Sequence, residues 1–374
     1  MRSRDGGSLQ GGSLAASCRM SCKSMRCWND AKVRSMRQLR VGLTGVVLMS
    51  ALVTPTIRAQ QVADTAFRYP VANPAYPQAE GPRVCVDSGH RNALRIDGRY
   101  APFARLLEDD GFRVADLPGT MDDASLEACD LLVIANAGDV AGPPPPGYPH
   151  PSAFTKSEHD ALLTWVLRGG ALWIFMDHPP YVGAMSTVAS LMGFQLFDGY
   201  VGPTPSSPTW SAVFGNLDEE ALRQTTDAHG MPFDRFRKGL GDPGTLANHP
   251  ILQGRAPEEA VDRVVSFTGT AFFPSSGVEP LLVFGPTATG VVVLAGNVRG
   301  APAGEYPLFA LGGWLLGGSR RIGQGRVVLL SEAAMCSAQI AGQQRIPGGF
   351  NMPFAERNAQ FCLNVAHWLM GLMD

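Results

Sequence analysis

The sequence lacks the short motifs that mark the commonest α/β enzymes. It contains no G-x-S-x-G or G-x-C-x-G, so the strained strand-to-helix turn that exposes a serine or cysteine nucleophile is missing. It has no G-x-x-x-x-G-K-[ST], and no G-x-G-x-x-G follows a predicted strand, which argues against nucleotide and dinucleotide binding. H-E-x-x-H is also absent. These absences exclude the hydrolases, zinc proteases and nucleotide-binding proteins that are recognised by these motifs.

Basic charge is scarce outside the N-terminal region. Of the 31 Lys and Arg residues, ten lie within residues 1–59, where only Asp5 and Asp30 are acidic. The remaining 315 residues therefore hold 21 basic and 31 acidic side chains, a net charge of −10. Nucleic-acid binding requires a basic surface that neutralises phosphates. The sequence thus predicts no nucleic-acid partner.

The first 59 residues have the pattern of a leader. Arg37 and Arg40 precede the apolar stretch 41–53, and Ala59 supplies a small residue at a cleavage point. This order is typical of a secretory signal peptide. The apolar stretch is shorter than the ~20 residues that a spanning helix needs. We therefore expect a secreted or periplasmic protein with no membrane span after cleavage, an uncleaved N-terminal anchor being the alternative.

The pattern also predicts the domain organisation. Met36 begins a leader of normal length, so residues 1–35 are taken as an extension before the true start. Residues 60–82 are polar and interrupted by proline, which predicts a linker. Residues 83–374 are predicted to form a single α/β domain, with an irregular insertion at about 200–260.

Strands and helices are predicted to alternate through the domain. The β-α-β opening predicts a parallel sheet with right-handed crossovers, and the late, closely spaced β runs suit antiparallel strands at its edge. The buried strands are predicted at 83–87, 112–117, 130–135, 171–176 and 326–330, and the late runs at 264–267, 281–284 and 291–295. The helices are predicted at 100–111, 155–170 with a Thr155–Glu158 capping box, 185–192, 217–225 and 358–372.

Four cysteines remain after the leader. In an oxidising compartment they can pair in three ways, which the sequence does not separate. Cys85 and Cys129 lie in or beside apolar strands, where a buried free thiol is equally compatible. The other two are Cys336 and Cys362.

Polar residues follow three of the buried strands. The first strand ends in Asp87, with His90 close behind, the middle one leads into Asp177 and His178, and the late one into Glu332. Ligands in open α/β sheets bind outside the carboxyl ends of the strands. Because parallel strands place these ends on one rim, we expect the five side chains to converge on a small-molecule site.

These residue types allow two kinds of chemistry. His90, His178 and Glu332 are candidate acid/base residues, with a histidine as the base and the glutamate as its partner. Asp87, His90, Asp177 and His178 are candidate ligands for a divalent metal such as Zn, although their spacing matches no standard metal motif. Further contacts to a bound molecule are expected from Asn92, Arg99, Asn351 and Asn358.

A set of short segments spread along the domain stands out. They are V-D-S-G-H at 86–90, G-R-Y at 98–100, G-G-A-L-W-I at 169–174 with Asp177-His178, N-H-P-I at 248–251, L-S-E-A-A-M at 330–335, N-M-P at 351–353, Asn358 and His367-Trp368. Taken together, these segments resemble an uncharacterised exported bacterial family known as a domain of unknown function. The fold of that family is similar to class I glutamine amidotransferases and to trehalose-utilisation (ThuA-like) proteins.

The resemblance implies a flavodoxin-like, mostly parallel sheet flanked by helices, with an antiparallel edge. It does not imply glutaminase activity, because Asp177-His178-Pro179-Pro180 stands where amidotransferases carry their cysteine. A shared fold alone does not establish function.

The resulting expectation is an exported protein whose small molecule, a carbohydrate among the candidates, binds at the C-terminal rim of the sheet. One alternative is a hydrolase that uses the Asp/His/Glu rim through a metal or by acid/base catalysis. The other is a non-catalytic interaction protein of the cell envelope, which would expose an apolar patch on the insertion or the edge strands.

Overall fold

The structure is a computed structural model that describes residues 61–138, 150–202, 235–237, 244–267, 269–292, 308–341, 345–353 and 355–374. Contacts within the chain divide it into residues 1–55 and residues 56–374, and all described residues belong to the second unit. The predicted leader and the predicted helix at 217–225 lie outside the described residues.

The described residues form strands and helices in close alternation. The strands are β1 (Val62–Ala63), β2 (Arg83–Asp87), β3 (Arg113–Leu117), β4 (Leu131–Ala135), β5 (Ala171–Phe175), β6 (Gln195–Phe197), β7 (Tyr200–Gly202), β8 (Arg235–Arg237), β9 (Gly244–Leu246), β10 (Arg263–Val265), β11 (Ala271–Phe273), β12 (Glu279–Phe284), β13 (Thr289–Val291), β14 (Leu308–Ala310), β15 (Leu315–Ile322), β16 (Gly325–Leu330), β17 (Ala338–Ala341) and β18 (Ile346–Gly349). The α-helices are α1 (Ala101–Asp109), α2 (Asp123–Glu127), α3 (Lys156–Leu167), α4 (Tyr181–Leu191), α5 (Pro250–Gln253) and α6 (Asn358–Leu369).

One large mixed sheet organises the domain. Its strand order is β10-β8-β9-β12-β15-β16-β5-β4-β2-β3, and outside this path β11 pairs with β15 and β6 pairs with β11. The five strands from β16 to β3 are parallel, and beyond β16 the pairings are antiparallel except for β8 with β9. The expectation of a mostly parallel sheet is therefore corrected. The antiparallel part is more than an edge, because five strands of the path lie beyond β16. It begins at β15, which a two-residue turn at 323–324 joins to β16, and such a turn links only antiparallel neighbours.

The parallel half has the flavodoxin-like strand order. Taken in chain order, its strands are β2, β3, β4, β5 and β16, and in space the second precedes the first. The order thus reverses between β2 and β4, which is the topological switch point where ligands bind in such sheets.

Helices cover both faces of this half, as the fully buried strands β4 and β5 require. Alternate residues of β5 enter different cores. Trp173 packs with Phe103 of α1 and with Trp368 of α6, whereas Leu172 packs with Leu162 of α3. The predicted capping box at the start of α3 is confirmed.

Two predicted irregular segments are part of the fold. In the stretch predicted to be a linker, β1 pairs with β17, and the ring of Tyr76 packs on Phe112 at 5.1 Å. In the predicted insertion, β8 and β9 join the large sheet. Short strands that gain their stability from distant partners leave no periodic pattern in the sequence, and this is why both segments were predicted to be irregular.

Two disulfides resolve the open question of cysteine pairing. Cys85 of β2 is bonded to Cys129, and Cys336 is bonded to Cys362 of α6. The bridges close segments of 44 and 26 residues. In the chain-entropy model, loops of this size are worth about 3–4 kcal/mol each.

Removing the first bridge tests this contribution. We expect the double change Cys85→Ala with Cys129→Ala to lower the free energy of unfolding by about 2–4 kcal/mol, because the unfolded chain regains loop entropy. Equilibrium urea denaturation measures the loss. As the control, the wild-type protein under reducing conditions should lose more than the variant does in oxidising buffer, because both bridges then open. A variant as stable as the oxidised wild type would contradict the expectation.

Candidate functional site

A buried carboxylate organises the loop that follows β2. Asp87 is fully buried, and its Oδ1 accepts hydrogen bonds from the N–H of Gly89 at 3.1 Å and from Nδ1 of His90 at 2.8 Å. Its Oδ2 accepts from Nδ2 of Asn92 at 2.9 Å. The amide oxygen of Asn92 in turn accepts the N–H of His90. The predicted grouping of Asp87, His90 and Asn92 is therefore a closed hydrogen-bond network at the switch point.

His90 lies between two carboxylates. Its Nδ1 contacts Asp87, and its Nε2 lies 2.9 Å from Oε1 of Glu158, a residue that the sequence had indicated only as part of the capping box. The Glu158 carboxylate also accepts from Met121 N–H and from both the N–H and the hydroxyl of Thr155. Each of the two carboxylate oxygens of Glu158 thus accepts two hydrogen bonds.

The charges of this network follow from its geometry. An ionised carboxylate only accepts hydrogen bonds, so both ring nitrogens of His90 carry protons and the ring is an imidazolium. Burial alone would lower the pKa of His90, but the hydrogen bonds and charges of Asp87 and Glu158 outweigh it and raise the pKa. Burial would likewise raise the pKa of Glu158, but the hydrogen bonds from Thr155, His90 and Met121 lower it to about 2.

An imidazolium with both nitrogens engaged has no lone pair for a proton or a metal. This arrangement does not favour His90 as a general base or as a metal ligand, and both roles stay predictions from the sequence. Its role in the structure is to hold two buried carboxylates.

The second group of predicted residues is built on Asp177. Asp177 Oδ1 accepts the N–H of Ala333 at 2.6 Å, and its Oδ2 accepts from Nδ2 of Asn136 at 2.6 Å. The Asn136 amide oxygen accepts the N–H of Asp177 at 2.9 Å. Asn136 adopts a positive φ of 46°, a conformation that asparagine tolerates better than most residues. This residue directly after β4 was not predicted to belong to the site.

Glu332 is completely buried beside Asp177. Its carboxylate accepts the N–H groups of Ala334 at 2.7 Å and Met335 at 2.9 Å. Burial, followed by the nearby Asp177 charge, raises the pKa of Glu332 well above its ordinary value. Backbone N–H groups therefore satisfy this carboxylate, and the histidine that the sequence predicted as its partner is not among its hydrogen-bond donors. Glu332 fixes the turn after β16 and does not face solvent.

The two groups meet at the end of β4. The Asn92 side chain donates to the carbonyl oxygen of Ala135 at 3.3 Å, and the next residue, Asn136, holds Asp177. The predicted convergence of Asp87, Asp177 and Glu332 on one rim is therefore seen, with the asparagines as the link.

Four other predicted site residues make hydrogen bonds within the protein. His178 Nδ1 lies 2.8 Å from the carbonyl oxygen of Pro179, and its ring stacks on Tyr200 at 4.7 Å. Arg99 donates to Gln61 and to the Ala93 carbonyl, Asn351 donates to Asp64 and the Gln339 carbonyl, and Asn358 bonds to the backbone of Val265 and Met335. None of these contacts joins the Asp87 network.

The predicted metal ligands do not surround a common point. Asp87 and His90 are bonded to each other, Asp177 accepts N–H donors, and His178 contacts a carbonyl group. Within the described parts of the chain, no group of three or more His, Cys, Asp and Glu side chains is placed to hold a metal ion. The metal-site prediction thus has no ligand set among these residues.

A cavity of about 240 Å³ lies over this end of the sheet. It is bordered by the loop after β2, by Gly138, by the segment before α3 and by the first turn of α4. Its lining includes Arg91, which is exposed and has a positive φ of 54°. The lining residues are Gly89, His90, Arg91, Gly138, His150, Pro151, Ser152, Ala153, Pro180 and Ala184, with no Asp or Glu among them.

Two serine–histidine contacts were missed by reasoning from the sequence. Ser152 Oγ lies 3.3 Å from Nε2 of His159, and Ser319 Oγ lies 2.9 Å from Nε2 of His249. The second contact joins residues 70 positions apart, and no sequence pattern predicts it. The first contact joins Ser152, in the loop before α3, to His159, seven residues later in that helix. The predicted start of α3 was the one sequence feature that indicated that they could lie close together.

The comparisons with known proteins show distant structural likeness only. No family model and no curated protein matches the sequence. Among solved structures, the mmIFT52 N-terminal domain is 13% identical with a TM-score of 0.46, over 77% of this chain and 97% of that chain. A ThuA-like protein from Bacteroides uniformis is 12% identical with a TM-score of 0.40, over 79% of this chain and 94% of that one.

A further ThuA-like protein, from Parabacteroides merdae, is 11% identical with a TM-score of 0.36, over 78% of this chain and 90% of its own. Likeness at this level says nothing about activity, and the flavodoxin-like assignment rests on the strand order itself. No helix within the described ranges is long and apolar enough to cross a membrane.

The charged network makes a prediction about stability and pH. The change His90→Gln leaves Asp87 and Glu158 buried without their cation, so we expect the free energy of unfolding to fall by about 3–5 kcal/mol near pH 6. The pKa of His90 is raised from 6.5, so its contribution is complete below pH 6.5 and is lost as the pH rises through the folded-state value. The pKa of Glu158 is lowered from 4.5 to about 2, so its contribution is complete above pH 4.5 and is lost towards pH 2.

Urea denaturation of wild type and variant across this range measures the effect. The difference in the free energy of unfolding between wild type and variant should be largest between pH 4.5 and pH 6.5, and it should shrink at lower and at higher pH. His178→Gln is the matched control, because this partly exposed ring hydrogen-bonds a carbonyl oxygen and stacks on Tyr200 but holds no buried carboxylate, so the loss of stability should be smaller. Equal stability of His90→Gln and wild type near pH 6 would refute the imidazolium assignment.

Proposed function

We propose that this chain is an exported protein that binds a small anionic molecule, with sugar acids as the ligand class, in the cavity beside His90. The observation that carries the proposal is the position of that cavity at the switch point between β2 and β4, together with its lining. In open α/β sheets this is where ligands bind.

The charge of the lining selects the ligand class. Arg91 is exposed at the cavity, and His90 behind it is an imidazolium, whereas no Asp or Glu is among the described residues that line the cavity. The two carboxylates that neutralise the His90 ring belong to Asp87 and Glu158, and both are buried beneath the surface. Among the described residues, an anion at this site therefore meets the guanidinium of Arg91 and no lining carboxylate.

The size and polarity of the cavity favour a sugar acid. About 240 Å³ lies just below the ~300–1,000 Å³ of typical ligand pockets, which suits a molecule of monosaccharide size. A uronic acid combines a carboxylate for Arg91 with hydroxyl groups for polar side chains such as Ser152 and His150, which also line the cavity.

Export is supported by two independent features. The leader pattern of residues 36–59 is that of a signal peptide, and the domain carries two disulfides. Disulfides form and persist in secreted and periplasmic proteins and are rare in the cytosol.

Binding is favoured over the acid/base or metal hydrolysis that the rim residues first indicated. His90 has no lone pair in the network, and Glu332 is fully buried with its oxygens on backbone N–H groups. Both side chains are bonded within the protein, and this arrangement favours binding over proton transfer by these two residues.

Thermal unfolding with matched sugars tests the proposal. We expect galacturonate and glucuronate to raise the melting temperature, and galactose and glucose to have little effect, because only the acids contact Arg91 as anions. At a ligand concentration 100 times Kd, the stabilisation is about 2.7 kcal/mol, which raises the melting temperature by several degrees.

Arg91→Ala should abolish the shift with the acids, whereas Arg168→Ala, which removes an exposed arginine at the end of α3, should preserve it. An equal shift in Arg91→Ala and wild type would show that the acids bind elsewhere. No shift with either acid would refute the proposal and leave the exposed side chains Phe273, Leu308 and Phe309 as the surface of an envelope interaction protein.

A further inference from the structure

We propose that Ser152 and His159 form a nucleophile–base pair at this cavity, and that the protein hydrolyses small esters that carry a negative charge. The inference rests on the proposed binding site for the charge of the substrate, but the pair itself is defined by its own geometry.

The serine is accessible and the histidine lies behind it. Ser152 is exposed and lines the cavity, whereas His159 is only 9% exposed. Ser152 Oγ accepts the N–H of Phe154 at 3.1 Å, so its own proton is free to point towards Nε2 of His159 at 3.3 Å. With the His159 proton on Nδ1, the hydroxyl donates to the imidazole, as a serine nucleophile requires.

The elements around the pair hold it in place. His159 lies in the first turns of α3, whose start is fixed by the capping box of Thr155 and Glu158. Ser152 precedes that box, and the next residue, Ala153, donates its N–H to the carbonyl of Ala184 in α4 at 2.9 Å. These contacts attach the segment around Ser152 to α3 and α4, and they hold the serine in its position.

The protonation state of His159 suits a general base. Burial lowers the pKa of His159 below its ordinary 6.5, with Lys156 in the same direction, while Glu158 and Asp160 oppose the shift without reversing it. His159 is therefore neutral at neutral pH and has a lone pair on Nε2 when the proton is on Nδ1. His90, whose ring stacks near Phe154 at 4.3 Å, is held in the opposite state by its two carboxylates.

The other serines near acids or histidines in the described residues lack this arrangement. His249 Nδ1 accepts the N–H of Ile251, so its Nε2 carries the proton and cannot accept one from Ser319. Ser88 donates to Asp116, and the buried Ser331 donates to the carbonyl groups of Thr270 and Leu316.

The reaction balances with water as the only co-reactant. Ser152 Oγ attacks the ester carbonyl carbon while His159 Nε2 takes the hydroxyl proton. The bond to the leaving alcohol breaks, and His159 returns the proton to the alcohol oxygen, which leaves an acyl-serine. Water then attacks this acyl group and gives a proton to His159. The bond to Oγ breaks, the proton returns to Oγ, and a carboxylic acid is released.

Arg91 defines the substrate class. Its guanidinium lines the same cavity as Ser152 and is exposed there. A negative charge elsewhere in the substrate therefore meets a cation, while the ester group lies at the serine. We expect 4-nitrophenyl succinate, which carries a free carboxylate, to be a better substrate than 4-nitrophenyl butyrate, a neutral ester of similar length.

Covalent labelling tests the nucleophile in the wild-type protein. An alkyl fluorophosphonate should add to Ser152 with loss of fluoride, as located by mass spectrometry of the peptides. Ser157, an exposed serine in the first turn of α3, should remain unlabelled because its hydroxyl contacts the Thr155 hydroxyl at 3.0 Å and not a histidine. Failure to label Ser152 under conditions that label a serine esterase would overturn the proposal.

Ester hydrolysis tests the pair and the specificity. We expect Ser152→Ala and His159→Gln each to reduce the rate with 4-nitrophenyl succinate by about 100-fold or more, and Ser157→Ala to leave it unchanged. In wild type, kcat/KM should fall below the lowered pKa of His159 and be level above it. Arg91→Ala should reduce kcat/KM for the succinate ester by about tenfold, but not for the butyrate ester.

The outcomes separate this inference from the proposed function. If wild type shows the uronate-induced thermal shift and Ser152→Ala loses hydrolysis, both are supported. If wild type shows the shift but Ser152→Ala hydrolyses the esters as fast as wild type does, the catalytic pair is wrong and the binding site stands. If the esters are hydrolysed through Ser152 but uronates cause no shift, the ligand class is wrong and the pair stands.

Discussion

The rest of the site depends on one constraint, which is that the Asp87 carboxylate at the end of β2 is completely buried. An unpaired charge there would be prohibitively costly, so the loop folds back to supply Gly89 N–H, the Asn92 amide and the His90 ring. His90 then brings its second nitrogen to Glu158, which begins α3. The buried charge thus sets the path of the chain around the switch point, and the cavity lies beside that path.

Neighbouring side chains acquire opposite properties from small differences in environment. His90 and His159 are both buried and both close to Phe154. Two carboxylates on His90 keep it charged, and burial without such a partner keeps His159 neutral. The same helix start supplies both effects, because Glu158 faces His90 while the next residue faces Ser152. The consecutive residues Glu158 and His159 thus have different partners: Glu158 keeps His90 charged, and His159 is itself neutral.

Reasoning from the sequence placed three of the rim residues at neighbouring strand ends but did not predict the contacts that surround them. Asp87, Asp177 and Glu332 lie after parallel strands, so the rule that such strand ends share one rim was enough to bring them together. It could not predict that backbone N–H groups would satisfy Glu332, or that Asn136 would bridge to Asp177. Those contacts depend on the exact turn that each loop takes, and turn geometry carries no periodic signal. The antiparallel half was underestimated for the same reason, because three-residue strands such as β8 and β9 exist only through their partners.

The sequence by itself determined the alternation of strands and helices in the parallel half, the capping box of α3, the leader pattern and the scarcity of basic charge. These features are local, since each depends on residues within a few turns of one another. Only the tertiary structure decided which cysteines pair, which carboxylates enclose His90, and which serine meets a histidine at the cavity. Each of those depends on distances between residues far apart in the chain or on the direction of a single side chain, and packing of the whole domain sets both.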